Sequence, residues 1–170
     1  YFIEEPYDLL LIDHHTDMQE ASFGGLLSCG SWAREVLEND VHLGTLTLIG
    51  PEKFEEGGEE ITLTEAGRKL TGCVYRGKGF AGVEFPLYIS VDKDAMDKSE
   101  CITNWDQGDL TTDELTKLLE GLAGGRGVIG ADICGGLSET DPGYTDEIRS
   151  VNMSSDMKLI KILKEITEDK

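Results

Sequence analysis

Apolar positions along this chain come in two forms: short unbroken runs, and longer segments where they recur every three or four residues. Leu9 to Ile12 is a run of four with no polar alternation, which predicts a strand covered on both faces, as in a parallel sheet. Leu46 to Ile49, closed by Gly50-Pro51, predicts the next strand, and Gly72 to Tyr75, Phe85 to Val91 and Gly127 to Ile133 predict others. Helical spacing appears in three places. Ser31 reads as the N-cap of a helix through Asn39 that turns Trp32, Val36 and Leu37 inward. Thr111-x-x-Glu114 is a capping box, followed by Leu115, Leu118, Leu119 and Leu122 and ended by Gly124-Gly125. Asp156 to Ile166 predicts a final helix packing on the sheet through Met157, Ile160, Leu163 and Ile166. Thr64 to Leu70 reads as a short helix. Gln19 to Gly30 and Ser138 to Ser150 read as loops, and Glu52 to Glu60 as an exposed acidic excursion. Strands alternating with helices favour an α/β fold built on a parallel sheet.

Two of these strands run straight into acidic residues. The first gives Asp13-His14-His15-Thr16-Asp17, the second Asp92-Lys93-Asp94 with Asp97 beyond. In open α/β sheets chemistry collects at the carboxyl ends of the strands. An extended strand end would point Asp13, His15 and Asp17 the same way. For the first stretch alone, a solvated loop after a buried strand is an equally good reading, and for the second alone a plain turn or N-cap is the better one. Two such ends side by side would gather Asp13, Asp17, Asp92 and Asp94 around His15. Like charges ~4 Å apart repel by about 4 kcal/mol at an effective dielectric near 20. The set would therefore hold protons or take up divalent ions. Carboxylates with one imidazole suit Mn2+ better than structural zinc, and their number suits two ions sharing bridging carboxylates. His14 alternates away from His15 and reads as a packed residue, His42 as a surface one. Trp105 reads as a pocket wall or a turn residue, and Cys134 as a possible neighbour of the site.

Composition narrows the partners. The 170 residues suffice for one domain with a real core. Asp and Glu outnumber Lys and Arg by 34 to 15, a formal net charge of -19, which argues against nucleic acid or an anionic membrane. Cys29, Cys73, Cys101 and Cys134 are scattered without a Cys-x-x-Cys pair, so reduced thiols and a cytoplasmic location are expected. No apolar run approaches membrane-spanning length.

Asp13-His14-His15-Thr16-Asp17 resembles the Asp-x-His-x-Asp motif of the arginase/agmatinase/formiminoglutamase (ureohydrolase) superfamily. Ser90-Val91-Asp92-Lys93-Asp94-Ala95-Met96-Asp97 resembles its Ser-x-Asp-x-Asp-x-x-Asp motif, and the Ser28 to Trp32 turn also fits. The resemblance runs from Leu9 to about Gly136. It implies a three-layer α/β/α fold with a mainly parallel sheet and two Mn2+ ions. By that resemblance Asp13 and Asp92 bridge the ions, His15 and Asp94 complete one site, and Asp17 belongs to the other. Water ionised between the ions would attack the carbon of a linear C–N bond. Asp17, the expected catalytic residue, would carry the proton to the leaving nitrogen. The expected partner is a small nitrogenous substrate (an amidine, guanidino or formimino compound), and family members often form homo-oligomers.

Three departures qualify this. The family's Gly-Gly-Asp-His stretch has no counterpart, and would be expected before Tyr1. Residues 1–170 are thus expected to form the C-terminal portion of a single catalytic domain that is incomplete at its N-terminus. The Glu that binds guanidinium in arginases is absent from Asp132-Ile133-Cys134-Gly135-Gly136, and the loop Gln19 to Gly30 has no His. No substrate-binding residue is singled out. Two rivals stand beside hydrolysis at a binuclear centre: a non-catalytic metal-binding member, and a mononuclear zinc amide hydrolase of the deacetylase kind.

Overall fold

Leu9, Leu10, Leu11 and Ile12 are all buried because the strand that carries them has a neighbour on each side and a packed layer on each face. The computed structural model describes residues 3–22, 24–65, 68–78 and 84–168. Its strands are β1 (Tyr7–Ile12), β2 (Leu43–Ile49), β3 (Glu59–Glu65), β4 (Arg68–Arg76), β5 (Leu87–Asp92) and β6 (Val128–Cys134). Its helices are α1 (Trp32–Asn39), α2 (Thr112–Ala123) and α3 (Asp146–Glu168). The six strands form one mixed sheet in the order β3-β4-β2-β1-β5-β6. β2, β1, β5 and β6 are parallel neighbours, while β4 is antiparallel to both β2 and β3.

Alternation along β1 divides the core into two halves. Leu9 and Leu11 pack with Ala33 and Val36 of α1, and with Leu46, Leu48 and Cys73. Leu10 and Ile12 pack with Ile89, Val91, Leu115, Leu118 and Leu119, and with Leu159 of α3. One helix thus covers one face and two cover the other, the three-layer α/β/α arrangement. From β1 the chain crosses by way of α1 to β2 on one side. From β5 it crosses by way of α2 to β6 on the other. The strand order therefore reverses between β1 and β5, and at such a switch point the strand ends leave a crevice.

Several local signals act as the sequence suggests. Thr111 Oγ1 accepts a hydrogen bond from Glu114 N at 3.2 Å, and Glu114 Oε2 accepts one from Thr111 N at 2.9 Å. Ser31 is the N-cap residue of α1, although its hydroxyl bonds to Ser28 rather than to the helix. The four cysteines are free thiols. Among the described residues no helix is long and apolar enough to cross a membrane.

Other expectations are corrected. Thr64 to Leu70 is not a helix, since its described residues belong to the β3–β4 hairpin. Ile61 and Leu63 alternate with Thr62 and Thr64 at the strand period, and β-branched residues fit a pleated sheet. Glu59 and Glu60 open β3 rather than closing a loop, and β2 starts three residues before Leu46. α3 begins at Asp146, inside the stretch read as a loop. Its buried face includes Asn152 and Ser155, which hide the apolar period. Leu159, Ile162 and Leu163 face the core, while Met157 and Ile160 are exposed.

Candidate metal centre

Each of the two acidic strand ends is shaped by the same local device. Asp13 follows β1 directly, and its amide donates to Ile49 O at 3.0 Å, which keeps it seated against the end of β2. Gly50 has a φ of +121°, and a Cβ there would overlap the Asp13 carbonyl, so glycine is required for this approach. The Asp13 side chain is buried, and its Oδ1 accepts the amide of His15 at 2.6 Å. That turn, an aspartate accepting from the amide two residues on, ends the strand. Asp92 at the end of β5 repeats it, its Oδ1 accepting the amide of Asp94 at 2.9 Å.

These two turns interlock across the switch point. His14 N donates to Asp94 Oδ1 at 3.0 Å, and His15 Nδ1 lies 2.8 Å from Asp94 Oδ2 and 3.7 Å from Asp13 Oδ1. Asp94 is buried and its carbonyl accepts the amide of Gly108 at 2.7 Å. Asp13, His15 and Asp94 each present a ligand atom within 4.8 Å of the others.

Asp17 reaches the centre differently from the extended path expected. Its φ is +51°, a left-handed conformation that aspartate tolerates better than most residues. Its carbonyl accepts the amides of Ala33 at 3.1 Å and Arg34 at 3.4 Å, which ties it to the start of α1. Trp32 Nε1 donates to Asp17 Oδ2 at 2.7 Å. Helical spacing predicts Trp32 as an inward-facing residue of α1, and the Ser28 to Trp32 turn carries part of the family resemblance; neither contains this hydrogen bond. Only the polar edge of its indole hinted at a hydrogen-bonding role.

Burial and mutual repulsion raise three of the carboxyls in the cluster. Burial, and then Asp17, Asp94 and Asp92, push the Asp13 carboxyl up to about 9, against the opposing hydrogen bond from the His15 amide. Asp17 is raised by burial and by Asp92, with Trp32 resisting. Asp92 is raised by burial, with the Asp94 amide resisting. A carboxylate cluster in this condition must either hold protons or acquire positive charge. Its donors, hard oxygens with one imidazole, fit divalent ions such as Mn2+. Asp17 and Asp92 adjoin the compact triad of Asp13, His15 and Asp94 without being part of it.

The flanking residues also find places. His14 meets the His15 ring edge-on, with centroids 5.4 Å apart, and lies beside Gly108 in a cleft of about 480 Å³ shared with Arg68, Leu70 and Gln107. Trp105, 57% exposed, meets His15 edge-on with ring centroids 5.9 Å apart. Cys134 Sγ donates to Asp92 Oδ2 at 3.3 Å. At Gly135, φ +79°, a Cβ would overlap the Asp92 carboxylate.

The sequence model of the arginase family matches residues 2–153. The chain belongs to the arginase family. No curated protein sequence matches it. Among solved structures, this arginase-family chain is similar to proclavaminate amidino hydrolase from Streptomyces clavuligerus. The TM-score is 0.52 at 17% identity over 90% of this chain and 55% of that one. It is also similar to a hypothetical agmatinase from Burkholderia thailandensis, with a TM-score of 0.51 at 16% identity over 95% of this chain and 53% of that one. The chain thus spans about half the length of these two proteins. At such identities the likeness establishes the fold.

Proposed function

We propose that this domain is a binuclear manganese-dependent hydrolase that cleaves a C–N bond in a small amidine, guanidino or formimino compound. The observation that carries the reading is the convergence of Asp13, His15 and Asp94 at the switch point of the sheet, with Asp17 and Asp92 beside them. Membership of the arginase family supports it, as do two structural neighbours named as an amidino hydrolase and an agmatinase.

Asp13 and Asp92 would be shared by the two ions, His15 and Asp94 would complete one site, and Asp17 would serve the other. Bound ions would supply Lewis-acid chemistry, lowering the pKa of water and polarising the carbon under attack. The chain supplies the rest. The amides of His15 and Asp94 fix one oxygen each of Asp13 and Asp92. The indole of Trp32 fixes Asp17 Oδ2 and favours its ionised form. Asp17 is then the general base and acid: it takes the proton as water adds to carbon and returns it to the nitrogen as the C–N bond breaks. Trp105 walls one side of the His15 imidazole.

The test is release of urea, ammonia or formamide from a panel of guanidino and formimino compounds, with Mn2+ supplied and with chelator. Turnover that needs the metal and disappears in Asp17→Asn supports the reading. Two bound ions with no turnover across the panel would favour a non-catalytic metal-binding protein. A single zinc ion would favour the deacetylase-like alternative.

A further inference from the structure

Lys93 stands between Asp92 and Asp94 and is itself buried, only 5% exposed. Lysine is seldom buried unless it is paired. The 3-10 turn Lys93–Ala95 sends the Asp94 carboxylate to the metal centre, while the Lys93 side chain reaches α3. There its Nζ donates to Asp156 Oδ1 at 2.7 Å. Gly136 leaves room for that path, since a Cβ at this position would stand 2.8 Å from Nζ. The backbone of Lys93 is held as well. Its carbonyl accepts from Cys101 Sγ at 2.9 Å and from Met96 N at 3.2 Å.

Asp156 lies four residues beyond Asn152, so both project from the same side of α3. Asn152 clamps the segment after the metal turn, accepting from Ile102 N and donating to Ile102 O, both at 2.8 Å. One helix side therefore pins the turn at Lys93 and the segment that follows it at Ile102. An uncharged residue at position 93 would fill the space without needing Asp156. A buried ammonium requires the partner, and so transmits the position of α3 to the turn.

We infer that Lys93 is a positioning residue of the metal centre: paired with Asp156, it fixes the turn that aims Asp92 and Asp94, and so sets how tightly ions are held. The inference rests on the metal reading given above.

The test is calorimetric titration with Mn2+, with thermal unfolding in chelator run alongside. Lys93→Met is expected to weaken ion binding by about 10- to 100-fold, the range typical of residues that orient ligands, with Asp156→Asn in the same direction. Lys93→Arg, which keeps the charge, restores much of the affinity. Asn152→Ala serves as the control: it lowers thermal stability and leaves ion affinity nearly unchanged. Should Lys93→Met fail to fold, Asp156→Asn carries the test, because Asp156 is partly exposed. Wild-type affinity in Lys93→Met, or in Asp156→Asn if that variant carries the test, overturns the positioning role and leaves the metal reading intact. Equal loss in Asn152→Ala does the same. A wild-type chain that binds no divalent ion overturns both.

Discussion

Trp32 Nε1 lies 2.7 Å from Asp17 Oδ2, joining the first residue of α1 to the proposed proton carrier. Hydrogen bonds to charged groups are worth about 1.5–3 kcal/mol, so this contact holds Asp17 both in place and ionised. Trp32→Phe keeps a ring and removes the donor. Turnover near neutral pH is expected to fall by about 10- to 100-fold, the same range of free energy expressed as a rate. Loss of the donor raises the Asp17 carboxyl further, so the acid limb of the pH–rate profile moves to higher pH. An unchanged limb would show that the indole only packs.

Asp13 should make metal-free stability depend on pH in a defined direction. Its carboxyl is raised from the ordinary 3.8 to about 9, so between those values the folded chain holds a proton that the unfolded chain does not. The stability this contributes is fully present below about pH 4 and is lost as pH rises toward 9. Asp17 and Asp92, also raised, add to the same trend. The gain in Tm on adding Mn2+ is therefore expected to grow from pH 5 to pH 9, with protons released on binding. A gain that shrinks over this range would contradict the account.

The Gly135-Gly136 pair bears on the substrate. A Cβ at Gly135 would overlap the Asp92 carboxylate, so no acidic side chain fits at that position without displacing the metal turn, and Gly136 supplies none. A desolvated contact between a guanidinium and a carboxylate is worth about 2–5 kcal/mol when it is removed. L-arginine is accordingly expected to be a poor substrate, and efficient urea release from it would refute this. Gly135→Glu should weaken ion binding rather than create arginase activity.

At the amino end of the sheet, Asp8 is buried and accepts hydrogen bonds from Thr45 N at 2.7 Å, from Phe85 N at 3.1 Å and from Arg126. It joins β1 to the starts of β2 and β5 and to the residues before β6. Breaking a buried ion pair from one side costs about 3–5 kcal/mol. Asp8→Ala is expected to lose that much in denaturant unfolding, and a loss under 1 kcal/mol, typical of an exposed pair, would contradict it.

The parts of this fold that could be read from the sequence are those where one signal dominates. The apolar run Leu9–Ile12 is buried on both faces, so it lacks alternation, and both it and the largely buried Leu87–Val91 end abruptly in acid. The capping box at Thr111 and Glu114 is local chemistry and appears as expected. The β3–β4 hairpin was hidden because Thr64 to Leu70, taken alone, supports either period. Cross-strand partners such as Leu63 with Leu70 decide it. The start of α3 was hidden by Asn152 and Ser155, polar residues buried where apolar ones would have revealed the face. In the site, Asp13 and His15 converge through a side-chain-to-backbone turn after the strand rather than along an extended strand end. Asp17 needs a left-handed turn and an indole from α1, which no spacing rule contains.

The central claim, that the two acidic turns together form a divalent-metal centre, is tested most directly by Mn2+ titration of the chain and its aspartate variants. The account predicts two ions of unequal affinity. The tighter lies with His15 and Asp94, since imidazole adds affinity for such ions, and the weaker lies with Asp17 among carboxylates alone. Asp92→Ala should lose both ions and Asp94→Ala mainly the tighter one. Two equally tight sites, equal losses in the two variants, or no binding to the wild-type chain would contradict it.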